Sequence, residues 1–231
     1  MNKTLEDSLG KLAMLLIFGY LCIQQVQSFV ISFNHRDQIA LWQLAVLSQL
    51  CGVLFVGMIL YYTVTRLPPR DSVVGLMPRI VAVTGTFVMM LLVVLPPEPI
   101  SPTLRIVSTL MIILGTCLSI YCLNQLGRSF SIMATSRELR TGGGYSIVRH
   151  PLYGAEVVMI LGVVLAHGSP LAFGVGLMWL ALQIRRAQYE ESVLRRTFPE
   201  YEDYARRVPM LIPGLRVPLL EGAARNGSER V

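Results

Sequence analysis

The side chains most able to do chemistry in this chain fall in two short segments. The first, residues 141–154, reads TGGGYSIVRHPLYG and gathers three consecutive glycines, Tyr145, Arg149, His150, Pro151 and Tyr153. Glycine lacks a Cβ, so Gly143 and Gly144 let the backbone come within hydrogen-bonding distance of a ligand. Arg149 adds a planar fork of donors matched to a carboxylate or phosphate, and His150 adds a titratable ring. Pro151 suits the first turn of a helix, where its missing N–H is no loss. The segment therefore reads as a ligand-cradling loop running into a helix, with an ordinary basic loop beside a membrane helix as the alternative. The second segment holds Arg186, Glu190 and Glu191. Arg186 and Glu190 stand i, i+4 on one helical face, either as part of a pocket or as a solvated pair contributing a few tenths of a kcal/mol.

The elements that position these groups are apolar. Of 231 residues, 53% are hydrophobic and only 15% charged, against about 25% charged in soluble domains, so the chain reads as an integral membrane protein. Spans are expected at residues 12–33, 41–64, 80–95 and 104–123, each long enough or nearly so for a hydrocarbon core of about 30 Å. Gln24, Gln25 and Gln27 are expected to face other helices. The prolines of the loop at 65–79 argue against continuous helix there. The net charge of +6 comes from arginines beside the apolar runs, which suits contact with membrane lipids rather than nucleic acid. Lys3, Lys11 and most arginines fall on one side of these spans, which predicts a cytoplasmic N-terminus, glycine loop and C-terminus. The N-terminal run lacks a small-residue cleavage site and is expected to be a retained helix. Cys22, Cys51, Cys117 and Cys122 lie within apolar runs without metal-ligand spacing, so they read as small core hydrophobes and no metal site is expected.

Residues 154–184 are apolar but interrupted by His167-Gly168-Ser169-Pro170. Each half is too short to cross the core comfortably, which predicts a helical hairpin whose second arm continues past Ile184. His150 and Glu190 both lie 20 residues from Pro170, so equal rise along antiparallel arms places them at one depth. A pocket bounded by Arg149, His150, Arg186 and Glu190 follows. Glu156 is open between a helix-start acid and a pocket wall. His35 and His167 read as lone surface groups, Trp42 and Trp179 as interface or packing aromatics, and Tyr201 and Tyr204 as lying in the headgroup zone or against the pocket floor. The resulting architecture is an all-α membrane protein with about six apolar helical segments, the last two a hairpin. Its parts are N-terminal spans at 1–125, a core at 126–216 and a polar, disordered tail at 217–231.

Two stretches, GGGYSIVRHPLYG and RRAQYEESVLRRTFPEYEDYARRVPMLIPGL, together resemble the C-terminal half of the isoprenylcysteine carboxyl methyltransferase family, with related patterns in phospholipid N-methyltransferases. The resemblance covers residues 126–215. It implies S-adenosylmethionine as cofactor, with Gly143, Gly144, Tyr145, Arg149, His150, Pro151, Tyr153, Glu190 and Glu191 forming its pocket and Arg186 lying near the methyl acceptor. Arg186 and Glu190 are the implied catalytic pair. The family commonly has Gly-Pro-Tyr where this chain has Gly143-Gly144-Tyr145, and many relatives have histidine at the position of Arg137. The implied activity is carboxyl O-methylation of an isoprenylcysteine-like lipophilic acceptor that enters from the bilayer. Phospholipid N-methylation and a non-catalytic membrane scaffold or transporter subunit are the alternatives.

Overall fold

The computed structural model describes residues 3–39 and 41–215; the tail expected to be disordered lies outside them. Seven α-helices follow in order: α1 Lys3–Asn34, α2 Trp42–Thr65, α3 Leu76–Phe87, α4 Pro102–Leu126, α5 Pro151–His167, α6 Pro170–Thr197 and α7 Tyr201–Arg207. Among the described residues, four stretches are long and apolar enough to cross a membrane: Gly10–Asn34, Trp42–Thr65, Leu76–Val93 and Pro102–Ser129. The apolar α5 is shorter, about 26 Å at 1.5 Å per residue. The apolar first half of α6 is its hairpin partner.

The helix ends follow from local chemistry. Pro102, Pro151 and Pro170 each occupy a first turn, where their rings fit the helical φ and no N–H is lost. Ser101 and Ser169 cap α4 and α6, accepting from the amides of Leu104 and Ala172 at 3.2 Å. Gly127 and Gly168 close α4 and α5 with φ of +54° and +76°, conformations costly for a side chain. The loop at 65–79 is not continuous helix, as expected, but the third span starts earlier than residue 80: α3 begins at Leu76 and carries Pro78 in its first turn. The span then finishes as a 3₁₀ helix, Val88–Val93.

Packing is decided by small residues. α5 lies mainly against α4, and the contact is close enough that a Cβ on Gly162 would come within 2.8 Å of the Ser108 carbonyl oxygen. A Cβ on Gly115 would collide with the Met159 backbone. Such approach of backbones is how helices associate where apolar side chains gain nothing over lipid. α6 leaves its hairpin partner to pack against α3 and the 3₁₀ turn after it. Of the three N-terminal glutamines, Gln25 packs against Gly52, whereas Gln24 and Gln27 are exposed, contrary to expectation.

The loops carrying the arginines gather at one end of the bundle. Leu67 donates to the Arg128 carbonyl at 2.9 Å, and Arg128 Nε donates to the Thr65 carbonyl at 2.7 Å. Two short strands, β1 Asp71–Ser72 and β2 Thr135–Ser136, pair antiparallel there, a detail an all-α reading did not include. Ser136 Oγ shares a 2.7 Å hydrogen bond with Thr197 Oγ1, tying this ladder to the end of α6. Beneath it lies a core of Phe18, Ile59, Tyr62, Leu123, Phe130 and Leu152. At the opposite end His167 is not a lone surface group. Its ring contacts the Leu95 carbonyl at 3.2 Å and Ser169 Oγ at 2.9 Å, fastening the α5–α6 turn to the end of the third span.

Candidate active site

Residues 141–154 do not form an open cradle. Gly143–Ser146 make a 3₁₀ turn, and Gly143 takes φ +61°. The close approach that its glycines permit is to the chain itself: the Gly144 amide donates to Gln125 Oε1 of α4 at 2.7 Å, and a Cβ on Gly143 would strike the Gln125 side chain. Pro151 then starts α5 and packs against Gly144.

Arg149 and Glu191 form the buried centre of the site. Arg149 Nε donates to Glu191 Oε1 at 2.7 Å, while its Nη1 donates to the carbonyls of Ala205 and Val208 at 2.9 and 2.7 Å. The backbone repeats the attachment, with Arg149 N and His150 N donating to the carbonyls of Pro209 and Met210 at 2.9 and 3.0 Å. The segment after α7 is thus stitched along the loop. Glu191 is fully buried and also meets His150 Nε2 at 3.3 Å and Arg195 Nη2 at 3.3 Å. Burial alone would raise its pKa, but the His150 ring and the Arg149 guanidinium outweigh it and hold the carboxyl down at about 2.

Glu190, its neighbour in sequence, faces a different environment. It accepts from the Tyr153 hydroxyl, lies 3.5 Å from Arg186 Nε and 3.9 Å from His150 Nδ1, and keeps 22% of its side chain accessible. The His150 and Tyr153 rings stack with centroids 5.5 Å apart and planes 7° from parallel. The Arg186 guanidinium covers the Tyr153 ring at 5.2 Å and donates to the Ser131 carbonyl at 3.4 Å. The hairpin arithmetic therefore corresponds to real neighbours: His150 and Tyr153 on one arm, Glu190 and Glu191 on the other. One turn deeper the same pairing joins Gln183 Nε2 to Glu156 Oε2 at 2.6 Å.

Most of these groups line a cavity of about 250 Å³, just below the roughly 300–1,000 Å³ of small-molecule sites. Its wall changes character along its length. Arg137, Glu138, Arg140, Tyr145, Tyr201 and Tyr204 surround the end nearest the basic loops, and Phe18, Phe55, Ile59, Met89 and Ile160 the end within the spans. Tyr153, Glu156, Arg186 and Glu190 belong to the same wall. Tyr201 and Tyr204 are buried, with Tyr204 Oη donating to the Tyr145 carbonyl at 2.5 Å. Burial pushes the Tyr204 hydroxyl up to about 12 despite the Arg149 charge. The Tyr201 hydroxyl and Gln183 Oε1 are buried and make no hydrogen bond among the described residues, so this wall has polar capacity to spare. Trp179 is a buried wall residue.

Sequence reasoning left out Gln125, Gln183, Arg195 and Ser131, and left Arg137 and Glu156 unassigned. Gln183 was findable, because 183, 186 and 190 follow an i, i+3, i+7 stripe on α6. Gln125 and the Ser131 carbonyl carry no such signal. Glu156 stands beyond the first turn of α5 and is a cavity wall.

Comparison with known proteins bears on the same region. Residues 103–201 match the family model described as phospholipid methyltransferase. Over 112 residues the chain is 35% identical to protein-S-isoprenylcysteine O-methyltransferase B of Arabidopsis thaliana, covering 45% of this chain and 56% of that protein. It is 34% identical over 122 residues to the cobalt-zinc-cadmium resistance protein CzcN of Cupriavidus metallidurans, covering 50% and 52%. A nickel-cobalt-cadmium resistance protein, NccN of Alcaligenes xylosoxydans xylosoxydans, is 40% identical over 81 residues, covering 35% and 38%. The chain thus spans about half the length, or less, of these curated relatives. The chain is similar over residues 103–201 to phospholipid methyltransferases and over 112 residues to an isoprenylcysteine O-methyltransferase.

Proposed function

We propose that this protein is an S-adenosylmethionine-dependent methyltransferase acting on the polar head of a lipophilic acceptor. One observation carries the reading: a single cavity is polar and aromatic towards the basic loops, apolar within the spans, and has Tyr153, Arg186 and Glu190 in its wall. The residues present fit the cofactor. Arg137 suits a carboxylate, Glu190 suits an ammonium or ribose hydroxyls, and Tyr145 and Tyr201 offer ring faces and an unused hydroxyl, while Arg140 and Glu138 are joined to each other at 2.9 Å. Arg149, Glu191 and Gly144 are committed to the chain's own groups. Their part is to hold the wall and to set His150 against Tyr153 and Glu190.

When bound, the cofactor supplies an electrophilic methyl group on a sulfonium. The protein's contribution is then positioning and exclusion of water. Arg186, steered by Tyr153, Glu190 and Ser131, holds a carboxylate head, and the apolar end receives the hydrophobic chain. A carboxylate is already a nucleophile, so no side chain needs to take a proton. This favours carboxyl O-methylation of an isoprenylcysteine-like acceptor. The observation favouring the other acceptor is Glu156, a further acid in the same wall for which a carboxylate substrate has no use. An amine head would bind to it as the ammonium and pass a proton to Glu190 or His150, which frees the lone pair for attack on the methyl group. We place the basic end of the bundle, with this site, on the cytoplasmic face, because arginine is retained there.

The test supplies labelled S-adenosylmethionine to purified protein with prenylcysteine analogues and, separately, with membrane lipid extract. Label in the prenylcysteine analogue and not in aminophospholipid supports the first acceptor; the reverse supports the second. Glu156→Gln separates them again, lowering kcat/KM about 10- to 100-fold for an amine, which loses a charged partner, and sparing or improving turnover of a carboxylate. Absence of both cofactor binding and methyl transfer overturns the proposal in favour of a non-catalytic membrane role.

A further inference from the structure

One amide in the cavity wall takes no part in holding the head of the acceptor. Gln183 stands on α6 one turn before Arg186, about 4.5 Å further along the axis towards the spans. It is only 4% exposed and lines the cavity. Its Nε2 donates to Glu156 Oε2 of α5 at 2.6 Å, and this bond fixes which way the amide faces. The reversed amide would set oxygen against an ionised carboxylate with no proton between them. Gln183 Oε1 is left buried and receives no hydrogen bond among the described residues. Beside it is Gly85 of α3, another residue of the cavity wall, where a Cβ would come within 3.6 Å of Oε1.

The hydrogen-bond donors of the neighbouring wall are committed elsewhere. Thr86 Oγ1 donates to the Ala82 carbonyl at 2.8 Å, the Tyr153 hydroxyl donates to Glu190, and Arg186 Nη2 donates to the Ser131 carbonyl at 3.4 Å. A buried amide oxygen with no donor is unfavourable. Water can satisfy it in the resting protein, but a lipophilic molecule that fills the cavity expels that water and has to replace its hydrogen bond. The level of this demand is set by the helix: Arg186 lies at the head, Gln183 one turn deeper, and the apolar end with Met89 and Ile160 beyond.

We infer that Gln183 is a specificity-determining residue for the methyl acceptor, its Oε1 accepting from an N–H of the acceptor just below the carboxylate that Arg186 holds. The substrate class is then an N-acylated amino acid that carries a hydrocarbon chain, since its amide N–H lies two bonds from the carboxyl carbon. A fatty acid or an ester-linked acid offers the same carboxylate and chain but strands the oxygen. Glu156 serves such a substrate only through Gln183, by fixing the amide. Glu156→Gln keeps an oxygen for Gln183 Nε2 and so preserves the arrangement. The inference rests on the carboxylate-acceptor reading of the site.

The experiment compares N-acetyl-S-farnesylcysteine with its isostere in which an ester oxygen replaces the amide N–H. For the purified full chain, Kd is measured by calorimetry and kcat/KM with labelled S-adenosylmethionine. The amide should be favoured about 10- to 100-fold in both. Gln183→Leu, which keeps the bulk and cannot accept, should bring the ratio to about 1. A substitution that only loosened the fold would weaken both acceptors together and leave the ratio alone. Gly85→Ala, which keeps every polar group and sets a methyl beside Oε1, should lower the ratio too. Equal Kd values for amide and ester in the wild type, or an unchanged ratio in Gln183→Leu, would overturn the inference and leave the methyltransferase reading intact. A preference in Kd without methyl transfer to either acceptor would instead sink that reading and uphold the hydrogen bond. Binding of neither acceptor would overturn both.

Discussion

Glu190 and Glu191 are adjacent carboxylates with opposite surroundings, and their difference is a test of the site. Glu191 is enclosed by Arg149, His150 and Arg195 and has no exposed surface. Glu190 meets Tyr153 and Arg186 at the cavity wall. Replacing Glu191 by Gln leaves three basic groups around a neutral amide and should cost about 3–5 kcal/mol of stability. Glu190→Gln should keep the unfolding temperature nearly unchanged while lowering methyl transfer about 100-fold, since the misplaced Tyr153 and Arg186 no longer align the reactants. The pH dependence follows the same carboxylate. Its folded pKa of about 2 lies below the ordinary 4.5, so its contribution is fully present above about 4.5 and disappears as pH falls towards 2, a loss of roughly 3 kcal/mol. Thermal unfolding across that window should show the loss in the wild type and a much flatter profile in Glu191→Gln. Equal pH profiles for the two proteins would contradict the assignment.

At the scale of elements, the site is a join between the loop before α5, the second half of α6 and the segment after α7. Arg149 is the fastener, through one carboxylate and two carbonyl groups. Arg149→Ala should therefore release residues 208–213 to protease while α1–α4 stay protected, and Arg149→Lys should rescue little, because an ammonium cannot reproduce the fork. Cleavage no faster than in the wild type would show that the backbone bonds of Arg149 and His150 suffice. This join was partly legible in the sequence. The equal distances of His150 and Glu190 from Pro170 brought the two arms to one level, and the 186, 190 spacing put both groups on one face. The partners of the glycines were not legible. They lie on Gln125 of α4, and the pairing of α4 with α5 depends on Gly115, Ser108 and Gly162 meeting closely. In an apolar bundle no hydrophobic face announces which helix meets which. His167 was misjudged for a related reason: its partner, the Leu95 carbonyl, is a backbone group that no residue type signals.

For the whole molecule, the basic loops and the candidate site share one end, and this turns a local question into one of orientation. β1 and β2 bring the loop after α2 to the segment after α4, and Arg128 closes on Thr65. If that end faces the cytoplasm, the charge asymmetry fixes the chain's insertion, and the site draws on a soluble cofactor from the same side. Single cysteines test this in intact cells, in a background where Cys22, Cys51, Cys117 and Cys122 are replaced by Ala. Ser146→Cys marks the site end and Thr103→Cys the opposite end, both at exposed positions. A membrane-impermeant maleimide added outside should label Thr103→Cys and spare Ser146→Cys until the membrane is permeabilised. The opposite pattern would put the site outside the cell, away from a cytosolic cofactor pool, and would remove the proposed reaction together with the orientation.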